Sequence, residues 1–170
     1  MASIFRIHAE TGNIWSHMLG AIAFFFLTIY YFFLPSGNFV SPFEEKTVVI
    51  LFFLSAFVCL TFSTVFHTFG CHSPDICHFC GRLDYTGIAV LITGSFLPWV
   101  YYSFYCHAMT KYVYMTAIFT FGVICTVVSM AKAFQLPKYR AKRALLFLAF
   151  GICGLVPCVH HVTMVSTILN

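Results

Sequence analysis

Five long apolar stretches, each almost free of charge, are separated along the chain by short links that are polar or rich in helix breakers. They cover residues 14–34, 47–69, 85–103, 112–131 and 144–168. A bilayer core about 30 Å thick is crossed by roughly 20 helical residues, so each stretch is long enough to span it. The links are the turn around Pro35-Ser36-Gly37 and residues 70–83, 104–111 and 132–143. With no repeat period and no low-complexity linker, the pattern predicts an all-α membrane protein forming a single transmembrane domain with no soluble domain.

Composition agrees. Of 170 residues, 61% are hydrophobic and only 8% charged, about a third of the charge of a soluble domain. That excludes a water-soluble globule, a disordered chain, a coiled coil and a collagen-like rod. The formal charge of +4 is no nucleic-acid signal, because the basic residues lie between apolar stretches and so report topology. Arg6, Arg82, Lys132, Lys138, Arg140, Lys142 and Arg143 fall on the side of the N-terminus, against Lys46 and Lys111 opposite. The N-terminus is therefore expected in the cytosol and the end of the fifth span outside. The residues before the first span lack the basic segment of a signal peptide, so that span reads as a retained anchor. Cys59, Cys125, Cys153 and Cys158 lie within spans as small packing residues, which argues against a disulfide framework. Cys71, Cys77 and Cys80 would face the reducing cytosol, and Cys106 would lie near the opposite side.

Polar and ionisable groups inside a span are costly and mark candidate chemistry. Ser63 and His67 share one face near the end of the second span, and Asp84 opens the third. Antiparallel helices would bring His67 and Asp84 to similar depth. An imidazole, a carboxylate and a hydroxyl at one level begin a metal or hydrolytic site, in which zinc would take a neutral imidazole nitrogen and the carboxylate would serve a bound water. The alternative stays open that His67 only bonds a neighbouring helix and that Asp84 caps the third helix. Catalytic zinc takes three protein ligands, so two residues do not complete a site.

Other clusters carry paired readings. Residues 71–80 hold a C-x-x-C and two histidines, either a zinc knuckle or an ordinary cytosolic loop. His160 and His161 lie roughly 25 Å along the fifth span from Arg143, too far to meet His67, and read as interface residues after a kink at Pro157. Asn13 is expected to cap the first helix and Trp15 to anchor it, while Glu10 and His17 would pack on the cytoplasmic loops and close that end. Tyr85, Arg140 and Arg143 are candidate lipid contacts; the two arginines serve equally as positive-inside determinants.

These residues resemble the progestin and adipoQ receptor family, most closely its adiponectin receptors. The resemblance rests on Ser3 to His8 followed by E-x-x-N-x-x-S-H from Glu10 to His17, on Ser63-x-x-x-His67, Cys71-His72-Ser73 and Leu83-Asp84-Tyr85, on Phe96 to Cys106, and on Val156-Pro157 before His160. It implies a bundle of seven helices with a cytoplasmic N-terminus and a zinc ion near the cytoplasmic face. By resemblance His67 is a zinc ligand, Asp84 acts through zinc-bound water, Ser63 supports the site, and the remaining ligands belong to an H-x-x-x-H pair on the seventh span. No H-x-x-x-H occurs in this sequence and five spans are present, so the resemblance implies a partial bundle, a fragment or truncated isoform, silent as a catalyst by itself. The implied function is that of a zinc receptor with ceramidase-type hydrolysis of lipid amides, whose partners would be membrane lipid, ceramide or fatty acid and an adiponectin-like protein ligand. The alternative is a non-catalytic membrane protein that associates with full-length family members as a homo- or hetero-oligomer. A channel is disfavoured, since the spans lack a polar lining. The chain is expected as a multi-pass protein of the plasma membrane or an endomembrane.

Overall fold

Hydrocarbon offers no hydrogen-bond partner, so a backbone that crosses it must satisfy its own polar groups, as a helix does. In the computed structural model, all regular structure among the described residues is helical. These residues are 4, 7–35, 37, 40–70 and 72–169, without the side chains of Pro42, Gln135, Ile168 and Leu169. Ser3, Phe5, Arg6, Ser36 and Cys71 of the sequence reading lie outside them. The helices are α1 (Thr11–Phe33), α2 (Pro42–Phe69), α3 (Pro74–Ser103), α4 (Ala108–Met130), α5 (Arg140–Cys153) and α6 (Leu155–Leu169). Two 3-10 turns, Lys132–Gln135 and Pro137–Tyr139, join α4 to α5. The first four helices are each long and apolar enough to cross a membrane, and α5 with α6 supplies the fifth crossing over Pro137–Thr167.

Three boundaries differ from the sequence reading. α3 starts at Pro74, so most of the expected loop at 70–83 is helix. Its start is well specified: Ser73 Oγ accepts the Ile76 N–H at 3.3 Å, Pro74 fills the first helical position, and Asp75 lies in the first turn. Asp84 is therefore inside α3 and caps nothing, while Cys77, His78 and Cys80 ride on a helix and not on a loop. At the chain's beginning α1 starts at Thr11 with Glu10 at the cap position, which removes Asn13 as the cap. The fifth crossing breaks at Gly154, one turn before Pro157, because proline has no N–H for the Cys153 carbonyl. Phe96 of α3 presses on this break; a Cβ on Gly154 would stand 2.3 Å from its ring.

Small residues let the helices approach. A Cβ on Gly87 of α3 would stand 2.9 Å from Cys59 Cα of α2, and one on Gly94 would stand 2.0 Å from Ser55 Oγ. Gly122 of α4 receives Thr93 of α3 in the same way, at 2.1 Å. Beside these seams Ala89, Cys125 and Phe150 form a buried cluster joining α3, α4 and α5, with Ile92, Phe121 and Leu146 around it. The outward faces carry exposed Phe26, Phe33, Phe119 and Leu145, which suits contact with lipid chains.

At the end where α2 starts, a charged clasp replaces apolar packing. Glu44 accepts from Tyr101 at 3.0 Å and from Lys111 and Tyr112 at 3.4 Å. Lys111 is only 5% exposed, and its ammonium lies 4.3 Å from the centre of the Tyr101 ring. Lys111, a topology marker by sequence, is thus also a pin between α4, α2 and α3.

The glycine seam yields a stability prediction. Gly87→Ala must push α3 away from the α2 backbone and is expected to cost about 1–3 kcal/mol. Gly151→Ala meets nothing within 4 Å and should leave stability unchanged or raise it slightly. Denaturation of both variants in mixed micelles checks the contrast.

Candidate functional site

α1 and α2 run antiparallel, so residues two turns apart at the start of α1 face residues about one turn apart at the end of α2. Glu10 and His17 are the first pair, Ser63 and His67 the second. His67 Nδ1 lies 2.7 Å from Glu10 Oε2, and His17 Nδ1 lies 2.8 Å from Ser63 Oγ. The two imidazoles meet edge to face with centres 6.0 Å apart. Ser63 is buried, and His17 and His67 are half-buried. Each histidine therefore fixes the ring of its own helix to an oxygen on the other.

The entry to α1 supports this cluster. Asn13 Nδ2 donates to Glu10 Oε2 at 2.9 Å, and the Glu10 N–H donates to His8 Nδ1 at 3.1 Å. The Asn13 amide first and the His67 imidazole second hold the Glu10 carboxyl below the ordinary carboxylate range. Glu10 thus stays ionised and holds the His67 ring at Nδ1. Trp15 Nε1 donates to the Ile4 carbonyl at 3.1 Å and ties the preceding segment to the helix.

Asp84 lies across the α2–α3 seam. Gly87 packs on Cys59, and in an antiparallel pair one turn back along α3 matches one turn forward along α2, which sets Asp84 level with Ser63. His67 lies one further turn along α2, on the order of 6 Å in depth. Asp84 is half-buried and makes no hydrogen bond or ion pair among the described residues. Asp84 and His67, expected at similar depth, are offset by about one turn in this register. One detail differs: Glu10 and His17 dock on α2 and not on the loops, and Ser63 is the partner of His17.

The remaining candidates lie elsewhere. Arg143 is buried, donates from Nη1 to the Phe134 carbonyl, and holds its guanidinium carbon 4.9 Å from the centre of the Tyr85 ring. Tyr85 stacks on Phe147 at 6.3 Å, so both lipid candidates already have protein partners, whereas Arg140 is exposed. His160 pairs with the Tyr114 hydroxyl at 2.9 Å and packs on Phe104 at 5.4 Å, half-buried against α4 and the end of α3.

Could these residues hold a metal? His67 uses Nδ1 on Glu10, which leaves Nε2 as a donor with its ring fixed by a carboxylate. Yet among the described residues no three His, Cys, Asp or Glu side chains converge on a common point. The residues present therefore do not fit a zinc ion by themselves, and the C-x-x-C of α3 gathers no such group either.

The partners of His67 and His17 were missed by sequence reasoning, although a signal existed. Glu10 and His17 recur at helical spacing on α1 as Ser63 and His67 do on α2, and antiparallel pairing matches the two sets.

Comparison with known proteins agrees with the motifs. A family model described as haemolysin-III related matches residues 5–169. The chain is 46% identical over 162 residues to "Adiponectin receptor protein" of Drosophila melanogaster, covering 95% of this chain and 36% of that protein. It is 41% identical over 160 residues to "Progestin and adipoQ receptor-like protein 1" of Caenorhabditis elegans, covering 94% and 36%. With "Heptahelical transmembrane protein 1" of Arabidopsis thaliana it shares 34% over 165 residues, covering 93% and 49%. The chain thus spans between about a third and a half of the length of these relatives. Membrane-spanning helices, the quoted motifs and the family match together make this chain a member of the haemolysin-III-related family, on the branch of the progestin and adipoQ receptors.

Proposed function

We propose that this chain forms part of an adiponectin-receptor-like membrane receptor with its N-terminus in the cytosol, whose polar site at that end serves a lipid ligand. The observation that carries this reading is the cluster of Glu10, His17, Ser63 and His67 between α1 and α2, with Asp84 level beside it. Seven basic residues on the side of the N-terminus in the sequence support the orientation.

The finer reading is ceramidase-type hydrolysis, in which water splits a lipid amide into sphingosine and a fatty acid. Such a reaction needs a base and a group that stabilises charge on the amide oxygen. Asp84, without a protein partner, is the base in this proposal, and Glu10 positions the His67 imidazole. The shortage of metal donors argues that further protein must complete the site, so the activity is proposed for a larger assembly and not for these 170 residues by themselves. The same shortage favours a second reading, in which the chain associates with a longer family member and modulates it. A protein ligand of the adiponectin kind, suggested by the name of the Drosophila relative, belongs to this proposal as well.

Three measurements test it. Zinc measured in the purified protein together with whatever completes its site should fall to background in His67→Ala and, with ring support lost, should bind about tenfold more weakly in Glu10→Gln. Equal zinc in wild type and His67→Ala would remove His67 from the site. Ser63→Ala, which leaves His17 without its oxygen, should cost about 1 kcal/mol of stability. In a vesicle assay the 170-residue chain alone should release no sphingosine above blank; turnover by it would overturn the assembly requirement.

A further inference from the structure

A second polar site lies apart from the histidine cluster. Asp75, His78 and Arg82 recur at helical spacing along one face of the first turns of α3. They line a crevice of about 520 Å³ whose other wall is Lys132, Leu136 and Pro137, from the 3-10 turns after α4. Both walls belong to the end of the bundle that also carries Lys138, Arg140 and Lys142.

Among the described residues, no side-chain charge in this crevice makes a hydrogen bond or ion pair. Arg82 Nε is shut away from solvent with no hydrogen-bond partner among the described residues. A buried donor left unpaired costs free energy, and an arginine donor most readily recovers it from a phosphate or carboxylate. Phe79 lies under the guanidinium, 5.6 Å from its carbon to the ring centre, and limits where that group can point. Lys132 and Asp75 are exposed and form no ion pair with each other or with Arg82. Two cations, an imidazole and one carboxylate therefore line a space larger than a single ion.

We infer that this crevice binds the phosphate of an anionic phospholipid headgroup. Arg82 offers a planar fork for two phosphate oxygens and Lys132 a point charge opposite. Leu136 and Pro137 give the apolar edge that a glycerol backbone would lie on, and Asp75 at the rim is an acceptor for a headgroup ammonium or hydroxyl. The crevice sits where the polar first turns of α3 meet its apolar run, the depth at which headgroups lie. Lys138, Arg140 and Lys142 nearby concentrate anionic lipid at this end without entering the crevice.

The test is binding of short-chain phosphatidylserine to the purified protein in neutral detergent, followed by native mass spectrometry and thermal shift. Short-chain phosphatidylcholine is the zwitterionic control, and glycerophosphoserine supplies the same headgroup without chains. Phosphatidylserine should bind and raise the unfolding temperature, and both controls should bind at least about tenfold more weakly. Arg82→Gln and Lys132→Gln should each weaken binding about tenfold, whereas Lys138→Gln and Lys142→Gln should change it less than about twofold. If Arg82→Gln fails to fold, Lys132→Gln, an exposed position, decides the matter. Equal binding of phosphatidylcholine, or equal losses in all four variants, would overturn the site; equal binding of glycerophosphoserine would make it a site for a soluble phosphate and overturn the lipid.

Discussion

A polar side chain carried into hydrocarbon must find a partner on another helix, and in this protein that requirement decides where α1 sits. α1 buries little else: within it only Ile14 and Ala21 are buried. Apolar contact with a lipid-like face would let such a helix slide or rotate against α2. The pairs His67–Glu10 and His17–Ser63 allow one register, because both form together only when two turns of α1 match one turn of α2. The site and the docking of α1 are thus one arrangement.

The rest of the bundle carries that register onward. Gly87 and Gly94 bring α3 against α2 closely enough to fix the depth of Asp84 relative to Ser63. At the opposite end Glu44, Lys111 and the tyrosines around them tie α2 to α3 and α4. α2 is held at both ends by polar contacts and in the middle by small residues, so its His67 has little freedom of depth. Of the two carboxylates at this level, Glu10 is paired with His67 and Asp84 has no hydrogen bond or ion pair among the described residues, which leaves Asp84 the one with chemistry to spare.

The crossings were legible in sequence because length and lack of charge suffice to define them; each of the five stretches matches one crossing, the fifth built from two helices. The start of α3 was not, because residues 74–84 mix charge, cysteine and histidine and read as loop, although Ser73-Pro74-Asp75 is a helix start in its own right. Ser63, His67 and Asp84 were recognisable as costly polar residues in spans, but spacing within a helix could not tell whether Ser63 would face His67 or a neighbouring helix. Lys111 was invisible as a pin, since its partners Glu44 and Tyr101 are distant in sequence. Periodicity reports which face a residue occupies; which partner it meets depends on the register between helices.

That register can be measured directly. In a cysteine-free background in native membranes, the pair His17→Cys and Ser63→Cys should form a disulfide under mild oxidation, while His17→Cys with Cys restored at position 59, one turn deeper along α2, should not. A crosslink to position 59 with none to position 63 would contradict the pairing of α1 with α2, and with it the geometry of the site.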